Sequence, residues 1–322
     1  NLLIREYKIM KILNNKKIIN ENRIIWFKGD LIKAKDAKVQ ILSPTAQFGL
    51  NVFEGIRGYW SEDHNNLFLF RIKEHLKRLF ESCKILRINS PYDHNYITKA
   101  IIETLHCNEY HCDVSIRVTL FVDQEGGWSS CDPVNMFIAA INNPRNDLEL
   151  FGGKKGMIST YERINDYSMP PRAKVGANYI NSRYAYLEAQ ALSFDFPIML
   201  DREGKVSESS GSCLMMLKDG VLVTPPKTAS IVESITRDTI LKISKKLKYE
   251  TEIRSVDKDE LYSADEIFLC GTTAEIIPLT SIDNCIIGNG LTGSFTKKIY
   301  KEYLKVATGS QPNWLTSVWK NS

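Results

Sequence analysis

Histidine is scarce, five in 322 residues, so acid–base chemistry on this chain must lean on lysine, tyrosine, arginine and carboxylates. Cysteine is present but unpaired in pattern: Cys83, Cys107, Cys112, Cys131, Cys213, Cys270 and Cys285 are scattered, with no Cys-x-x-Cys. An odd, dispersed set excludes a fully paired disulfide scaffold and fits reduced thiols. The stretch His106-Cys107-Asn108-Glu109-Tyr110-His111-Cys112 lacks the separated ligand pairs of a zinc finger, and reads as a helix end with its loop. No run of ~18 apolar residues exists, so no membrane-spanning helix is expected. No Gly-x-Gly-x-x-Gly follows a strand, and Gly152-Gly153-Lys154-Lys155-Gly156 lacks the spacing of a P-loop. Neither a Gly-x-Ser-x-Gly elbow nor a His-Glu-x-x-His helix is present.

Charge of one sign is also in short supply, with 42 Lys and Arg against 38 Asp and Glu. The small excess lies in the first 40 residues and reads as a solvated arm over residues 1–22. Basic residues are not gathered with aromatics on a defined module, so no nucleic-acid partner is expected. Arg5, Glu6, Lys8 and Lys11 interrupt any secretory apolar region, which makes a cytoplasmic protein the expectation. With 43% apolar and 25% charged residues, the composition is that of a globular protein, and the length suits about two domains.

Short strands are expected at Ile24–Phe27, Val39–Leu42 and Leu67–Phe70. A helix follows, with Ile72, Leu76, Leu79, Phe80, Cys83 and Leu86 three and four apart. A second covers 96–105. From Val114 to Val122 alternation is strict: Val114, Ile116, Val118, Leu120 and Val122 share one face, and Ser115, Arg117 and Thr119 the other. After a strand at 134–141, Asn142-Asn143-Pro144-Arg145-Asn146 signals a boundary. The division is a small α/β domain over 1–144, a linker over 145–155 and a larger domain over 156–322. The larger part holds strand-like 156–161, a helix over 178–193, hairpins turning at Glu203-Gly204 and Asp219-Gly220, and helices over 235–247 and 294–306. Without a regular βαβ rhythm, the class is α+β.

Polar residues fall at the ends of these elements. Lys174 lies among small and apolar neighbours that can desolvate its amine, which favours the neutral nucleophile. Glu208 follows a hairpin strand, Arg71 joins a strand to a helix, Ser234-Ile235-Thr236 opens a helix, and Gly271-Thr272-Thr273 closes a strand. Backbone N–H groups and hydroxyls at the last two can converge on an anion. Together these groups suit pyridoxal phosphate, which needs a Schiff-base lysine, an acid at the pyridinium nitrogen and a phosphate cup.

Five segments, in order, resemble the branched-chain amino acid aminotransferases, members of the fold-type IV pyridoxal-phosphate enzymes. They are 47–57, running from Gln47 through Phe53-Glu54-Gly55-Ile56-Arg57; 70–75; 173–179, Ala-Lys-Val-Gly-Ala-Asn-Tyr; 235–238; and 270–276. The resemblance implies a two-domain fold with a barrel-like larger domain. It makes Lys174 the catalytic lysine, which carries pyridoxal 5′-phosphate and moves the substrate Cα proton. By it Glu208 pairs with the ring nitrogen, Tyr179 bonds the phenolate oxygen and Val232 packs on the ring. Arg71, Ile235, Thr236 and Thr272 are its phosphate ligands. Thr273 and Ala274 receive the α-carboxylate, Arg57 and Arg117 read the second carboxylate of glutamate or 2-oxoglutarate, and Phe48 and Phe53 line the substrate pocket. The family's Tyr is replaced at Phe48 and at Ser115, and an acid and an Asn of the family motif are Ser212 and Cys213. Active sites of this fold lie near a dimer interface, so a homodimer or higher homo-oligomer is implied. The expected reaction is transamination of a branched-chain or otherwise bulky apolar L-amino acid with 2-oxoglutarate. Alternatives on the same fold are a D-amino acid or amine transaminase and aminodeoxychorismate lyase. A degenerate binding protein is opposed by the retention of both Lys174 and Glu208.

Overall fold

The computed structural model describes residues 22–148 and 152–319. The basic arm expected over 1–22 lies outside them except for its last residue. Two sheets organise the chain. The first has seven strands, and its centre is β3 (Asn51–Ser61) between β4 (Asn66–Phe70) and β5 (Val114–Val122). Beyond β5 come β6 (Val134–Asn142), β1 (Ile24–Phe27) and the edge strand β2 (Asp30–Lys33).

Register explains which side chains face where. Val52 lies opposite Leu120 and Ile56 opposite Ile116, so these residues share one face with Val114, Val118 and Val122. That face packs on α2 (Ile72–Leu86) and α3 (His94–Cys107) through Leu76, Leu79, Ile97 and Ile101. The opposite face carries Phe53, Gly55 and Arg57 beside Thr119, Arg117 and Ser115. It looks toward the second domain.

Expected strand Val39–Leu42 is absent. Those residues lie in coil and a turn ahead of the short helix α1 (Pro44–Phe48), capped by the Ser43 hydroxyl. Val39, Ile41 and Leu42 are exposed, so no neighbouring strand rewards their β propensity.

In the second domain β7 (Lys154–Ile158), β8 (Phe196–Leu200), β9 (Val206–Ser209), β10 (Cys213–Lys218), β13 (Glu266–Gly271) and β14 (Glu275–Ile282) close into a six-stranded barrel. Pairing of β9 with β10 through Glu208 and Cys213 closes the ring. One set of alternating residues, Leu214, Met216, Leu269 and Leu279 among them, forms an apolar core. The other set, with Met215 and Phe268, packs on α5 (Ile235–Lys246) and α6 (Ser294–Lys305). The fold is α+β, with the barrel-like larger domain expected. The strands β11 (Val221–Thr224) and β12 (Thr251–Ile253) extend the sheet, and β15 (Cys285–Ile286) pairs with β14. Helix α4 (Tyr179–Ala191) follows the loop that carries Lys174.

The final strand, β16 (Leu315–Ser317), does not stay with the larger domain. It pairs with β4 in the first sheet, and Trp319 stacks on His106 and His111. Those two histidines of the crowded His–Cys stretch are thus engaged with an indole. Among the described residues no helix is long and apolar enough to cross a membrane.

One buried ionic cluster joins α2 to the first sheet. Glu54, fully buried on β3, accepts Nε and Nη2 of Arg78 at 2.6 and 2.9 Å and contacts Nδ1 of His75 at 2.7 Å. Burial alone would raise the Glu54 carboxyl, but Arg78 and His75 outweigh it and hold it far below the ordinary carboxylate range. A lowered carboxyl contributes stability above the unfolded pKa, about 4.3, and loses it as pH falls below that value. We predict that Glu54→Ala costs about 3–5 kcal/mol in urea unfolding at neutral pH, because Arg78 is left as an unpaired buried charge. The gap to wild type narrows as pH drops below about 4.3. A loss below about 1 kcal/mol, the scale of a surface pair, contradicts this account.

Candidate active site

A cavity opens where the outward face of β3 meets the end of the barrel. Phe53, Gly55 and Arg117 form its wall from the first sheet, and Lys174, Tyr179 and Glu208 from the second domain.

Lys174 is placed by a loop that pairs with the start of β3 across the domain junction. Phe53 N–H donates to the Lys174 carbonyl at 3.0 Å, and Gly176 N–H to Asn51 O at 3.1 Å. A Cβ at Gly176 would lie 2.6 Å from Oδ1 of Asn51, so any larger residue there would push the Asn51 amide aside. From this loop Nζ of Lys174 donates to the Tyr179 hydroxyl at 2.6 Å. The ammonium also stands 5.0 Å from the centre of the Phe53 ring, which lies 4.1 Å from the Arg117 guanidinium carbon.

Glu208, also in the wall, is 4% exposed. Its Oε1 accepts Nε of Arg163 at 3.0 Å and lies 3.2 Å from the donating Val232 amide. Burial raises the Glu208 carboxyl, while Arg163 and the Val232 N–H favour its ionised form. The Cys213 thiol points at Oε2 from 3.8 Å, and burial pushes that thiol up to about 12. Val232 therefore meets the acid through its backbone as well as lining the cavity. Arg163 escaped the sequence reading. Its loop has no periodicity, and a lone arginine there resembles any surface charge.

Beside the start of α5 the wall holds Ser234 and Arg78, whose guanidinium donates to the Glu233 carbonyl at 2.7 Å, and Thr272 lines the same cavity. Ser234 caps α5, its hydroxyl accepting Arg237 N–H at 3.2 Å. That leaves the first amides of α5, those of Ile235 and Thr236, at the open end of the helix, where the dipole favours an anion. Ile235 and Thr236 do not form the cavity wall with their side chains. Ser234 does.

Arg71, expected here, is elsewhere. Its backbone is left-handed, φ 53°, and its guanidinium pairs with Glu74 at 2.8 Å and Asp238 at 2.6 Å. Arg78, two turns further along α2, stands at the cavity instead. A sequence signal existed: Arg78 follows Leu76 and precedes Leu79 on a helix whose buried side includes it, and such a charge is rarely idle.

Other expected residues divide. Thr273 joins Thr272 at the wall, whereas the Ala274 carbonyl accepts Nδ2 of Asn146 at 2.7 Å, off the wall. Arg117 lines the cavity without a salt bridge among the described residues, and desolvation lowers its pKa. Arg57 is spent: it is 1% exposed, pairs with Glu275 at 2.8 Å, and donates to Asn143 O at 2.6 Å. Ser115 accepts Nδ2 of Asn143 at 2.7 Å, so its hydroxyl turns toward Arg57. Phe48 is half-exposed at the end of α1, outside the cavity.

Residues 51–282 match the family described as Amino-transferase class IV. The chain is 34% identical over 304 residues to the branched-chain-amino-acid aminotransferase of Escherichia coli (strain K12), covering 91% of this chain and 97% of that one. The solved branched-chain amino acid aminotransferase of Thermobaculum terrenum, in its PLP form, superposes with TM-score 0.88 at 35% identity, covering 94% of this chain and 100% of that one. The T.th. branched-chain amino acid aminotransferase complexed with N-(5′-phosphopyridoxyl)-L-glutamate superposes with TM-score 0.86 at 35% identity, over 92% and 98% of the two chains. The chain belongs to the class IV aminotransferases. It is an enzyme, and its kinship within that class runs to the branched-chain-amino-acid aminotransferases.

Placement of the two arginines generates a test. Arg78→Lys keeps the charge but loses the fork, and should weaken pyridoxal 5′-phosphate binding by about tenfold or more in equilibrium dialysis. Arg71→Lys should change it less than about twofold, since Arg71 lies off the cavity wall, engaged with Glu74, Asp238, Thr239 and the Ile235 carbonyl. A larger effect at Arg71 than at Arg78 would reverse the assignment.

Proposed function

We propose that this enzyme transfers the amino group of a branched-chain or otherwise bulky apolar L-amino acid to 2-oxoglutarate, with pyridoxal 5′-phosphate as cofactor, giving the 2-oxo acid and glutamate. The observation that carries the reading is the set of groups gathered around one cavity: buried Glu208, Lys174 with its hydroxyl partner Tyr179, and Arg78 with Ser234 and Thr272. That donor set fits the cofactor, an acid for its ring nitrogen, an amine for its aldehyde and cations with amides for its phosphate. When bound, the cofactor supplies an electron sink for a carbanion at the substrate Cα.

The residues of the chain do the rest. Lys174 is the amine that holds the cofactor covalently and, once displaced by substrate, the base that takes and returns the Cα proton. Tyr179, 2.6 Å away, orients that amine. Glu208 keeps the ring nitrogen protonated, and Arg163 keeps Glu208 ionised against the pull of burial. Thr272 lines the cavity as a phosphate ligand, and Thr273 beside it receives the α-carboxylate. Arg117, stacked on Phe53 and free of an acidic partner among the described residues, is the group that receives a distal carboxylate. The glutamate adduct of the T.th. relative supports both the acceptor and the L configuration. Gly55 and Ser115, small residues flanking Arg117 on its face, leave room for side chains larger than leucine. A homo-oligomer belongs to the same proposal: Ile180, Tyr184 and Leu187, at helical spacing on α4, are exposed.

Borohydride reduction of the cofactor-loaded enzyme followed by peptide mapping should place the pyridoxyl group on Lys174. A label on any other lysine rejects the proposal. Glu208→Gln should keep cofactor binding measurable while kcat falls about 10²–10³-fold, the scale of losing a preorganised electrostatic partner. Near-normal turnover would mean that another acid serves the ring nitrogen.

A further inference from the structure

The peptide unit joining Ala173 to Lys174 is held at both poles by side chains. Its carbonyl oxygen accepts Nδ2 of Asn178 at 3.1 Å together with the Val175 N–H at 3.0 Å, and its N–H donates to Oγ of Ser82 alone, at 3.0 Å. Both side chains are buried, Ser82 to 1% exposure and Asn178 to 4%. Ser82 comes from α2 in the other domain. Its own proton goes to the carbonyl of Arg78 at 2.9 Å, one turn back along the helix.

A peptide plane fixed at its N–H and its C=O fixes the direction in which the next residue sends its side chain. For Lys174 that direction decides where four methylenes deliver the amine. Small errors in such placement are costly in rate. The flanking contacts, Phe53 N–H to Lys174 O and Gly176 N–H to Asn51 O, run from backbone to backbone and survive any side-chain change.

We propose that Ser82 is a positioning residue for Lys174, with Asn178 as its counterpart at the other pole of the same peptide. The inference rests on the reading of Lys174 as the lysine that takes the cofactor. In that attachment Nζ of the neutral amine adds to the aldehyde carbon and a carbon–nitrogen double bond forms. The aldehyde oxygen departs as water with the two amine protons, and nothing is oxidised or reduced. Ser82 sets the reach and angle of Nζ for this addition. The same hydroxyl ties the lysine to the helix turn that presents Arg78, so one side chain links the amine and the cation of the cofactor cradle.

Two cofactor forms separate positioning from mere support. Pyridoxal 5′-phosphate is retained through Lys174, whereas pyridoxamine 5′-phosphate has the same ring and phosphate but no aldehyde and binds without a bond to the lysine. In the full-length Ser82→Ala enzyme, covalent capture of pyridoxal 5′-phosphate, followed by absorbance, should slow about tenfold, as expected when a buried N–H loses its acceptor. The Kd for pyridoxamine 5′-phosphate should stay within about twofold. kcat should fall with the capture rate while KM for the amino donor holds, and Asn178→Ala should show the same split. Equal losses for both cofactor forms, or unchanged capture, overturn the assignment of Ser82. Borohydride mapping of the unsubstituted enzyme distinguishes the levels: a label away from Lys174 overturns the underlying reading, whereas a label on Lys174 with unchanged capture in Ser82→Ala overturns only this inference.

Discussion

A hydrogen bond between two backbones, Phe53 N–H to Lys174 C=O, joins the domains at the point where the chemistry is placed. Strand alternation converts that contact into a division of labour. Phe53 points into the cavity between Lys174 and Arg117, while Glu54, the next residue, points the other way and grips Arg78. Consecutive residues of β3 thus set the cavity wall and, through α2, the cation beside it. A one-residue slip of this strand would exchange the two faces and dismantle both.

Four arginines show how environment separates roles that residue type alone leaves equal. Arg57 is neutralised by Glu275 and holds the carbonyl of Asn143, just past the end of β6. Arg78 shares its charge with Glu54 yet reaches the cavity. Arg163 faces Glu208 and opposes the rise that burial imposes on that carboxyl. Arg117 makes no salt bridge among the described residues, and desolvation lowers its pKa from the ordinary value. An unpaired, desolvated guanidinium at a cavity wall is poised for an incoming carboxylate, because pairing relieves its own desolvation.

Much of the fold was legible because periodicity reports burial. The alternation of Val114 to Val122 is the observed register of β5, and the turns at Glu203-Gly204 and Asp219-Gly220 close hairpins as read. Val39–Leu42 misled because apolar, β-branched residues describe preference without a partner strand to satisfy it. The return of β16 to the first sheet is a long-range pairing that no local pattern announces. In the site, the sequence reading singled out Lys174, Glu208 and Arg117, and the structure brings all three to one cavity. The motif segments could not distinguish Arg71 from Arg78, since both open or ride the same helix, and the choice depends on a left-handed residue and on Asp238 some 167 positions away. Arg163 and Ser82 were invisible for the same reason. Each acts through a partner distant in sequence, Glu208 in one case and the Lys174 amide in the other.

The central claim is that this cavity carries an amino group between L-amino acids and 2-oxo acids. A rapid-mixing absorbance experiment on the cofactor-loaded enzyme, with L-leucine and no acceptor, addresses it directly. The account predicts conversion of the bound cofactor to its amine form with one equivalent of 2-oxo acid per site, reversal on adding 2-oxoglutarate, and no conversion by D-leucine. Conversion by the D enantiomer alone, or by no L-amino acid, would contradict it.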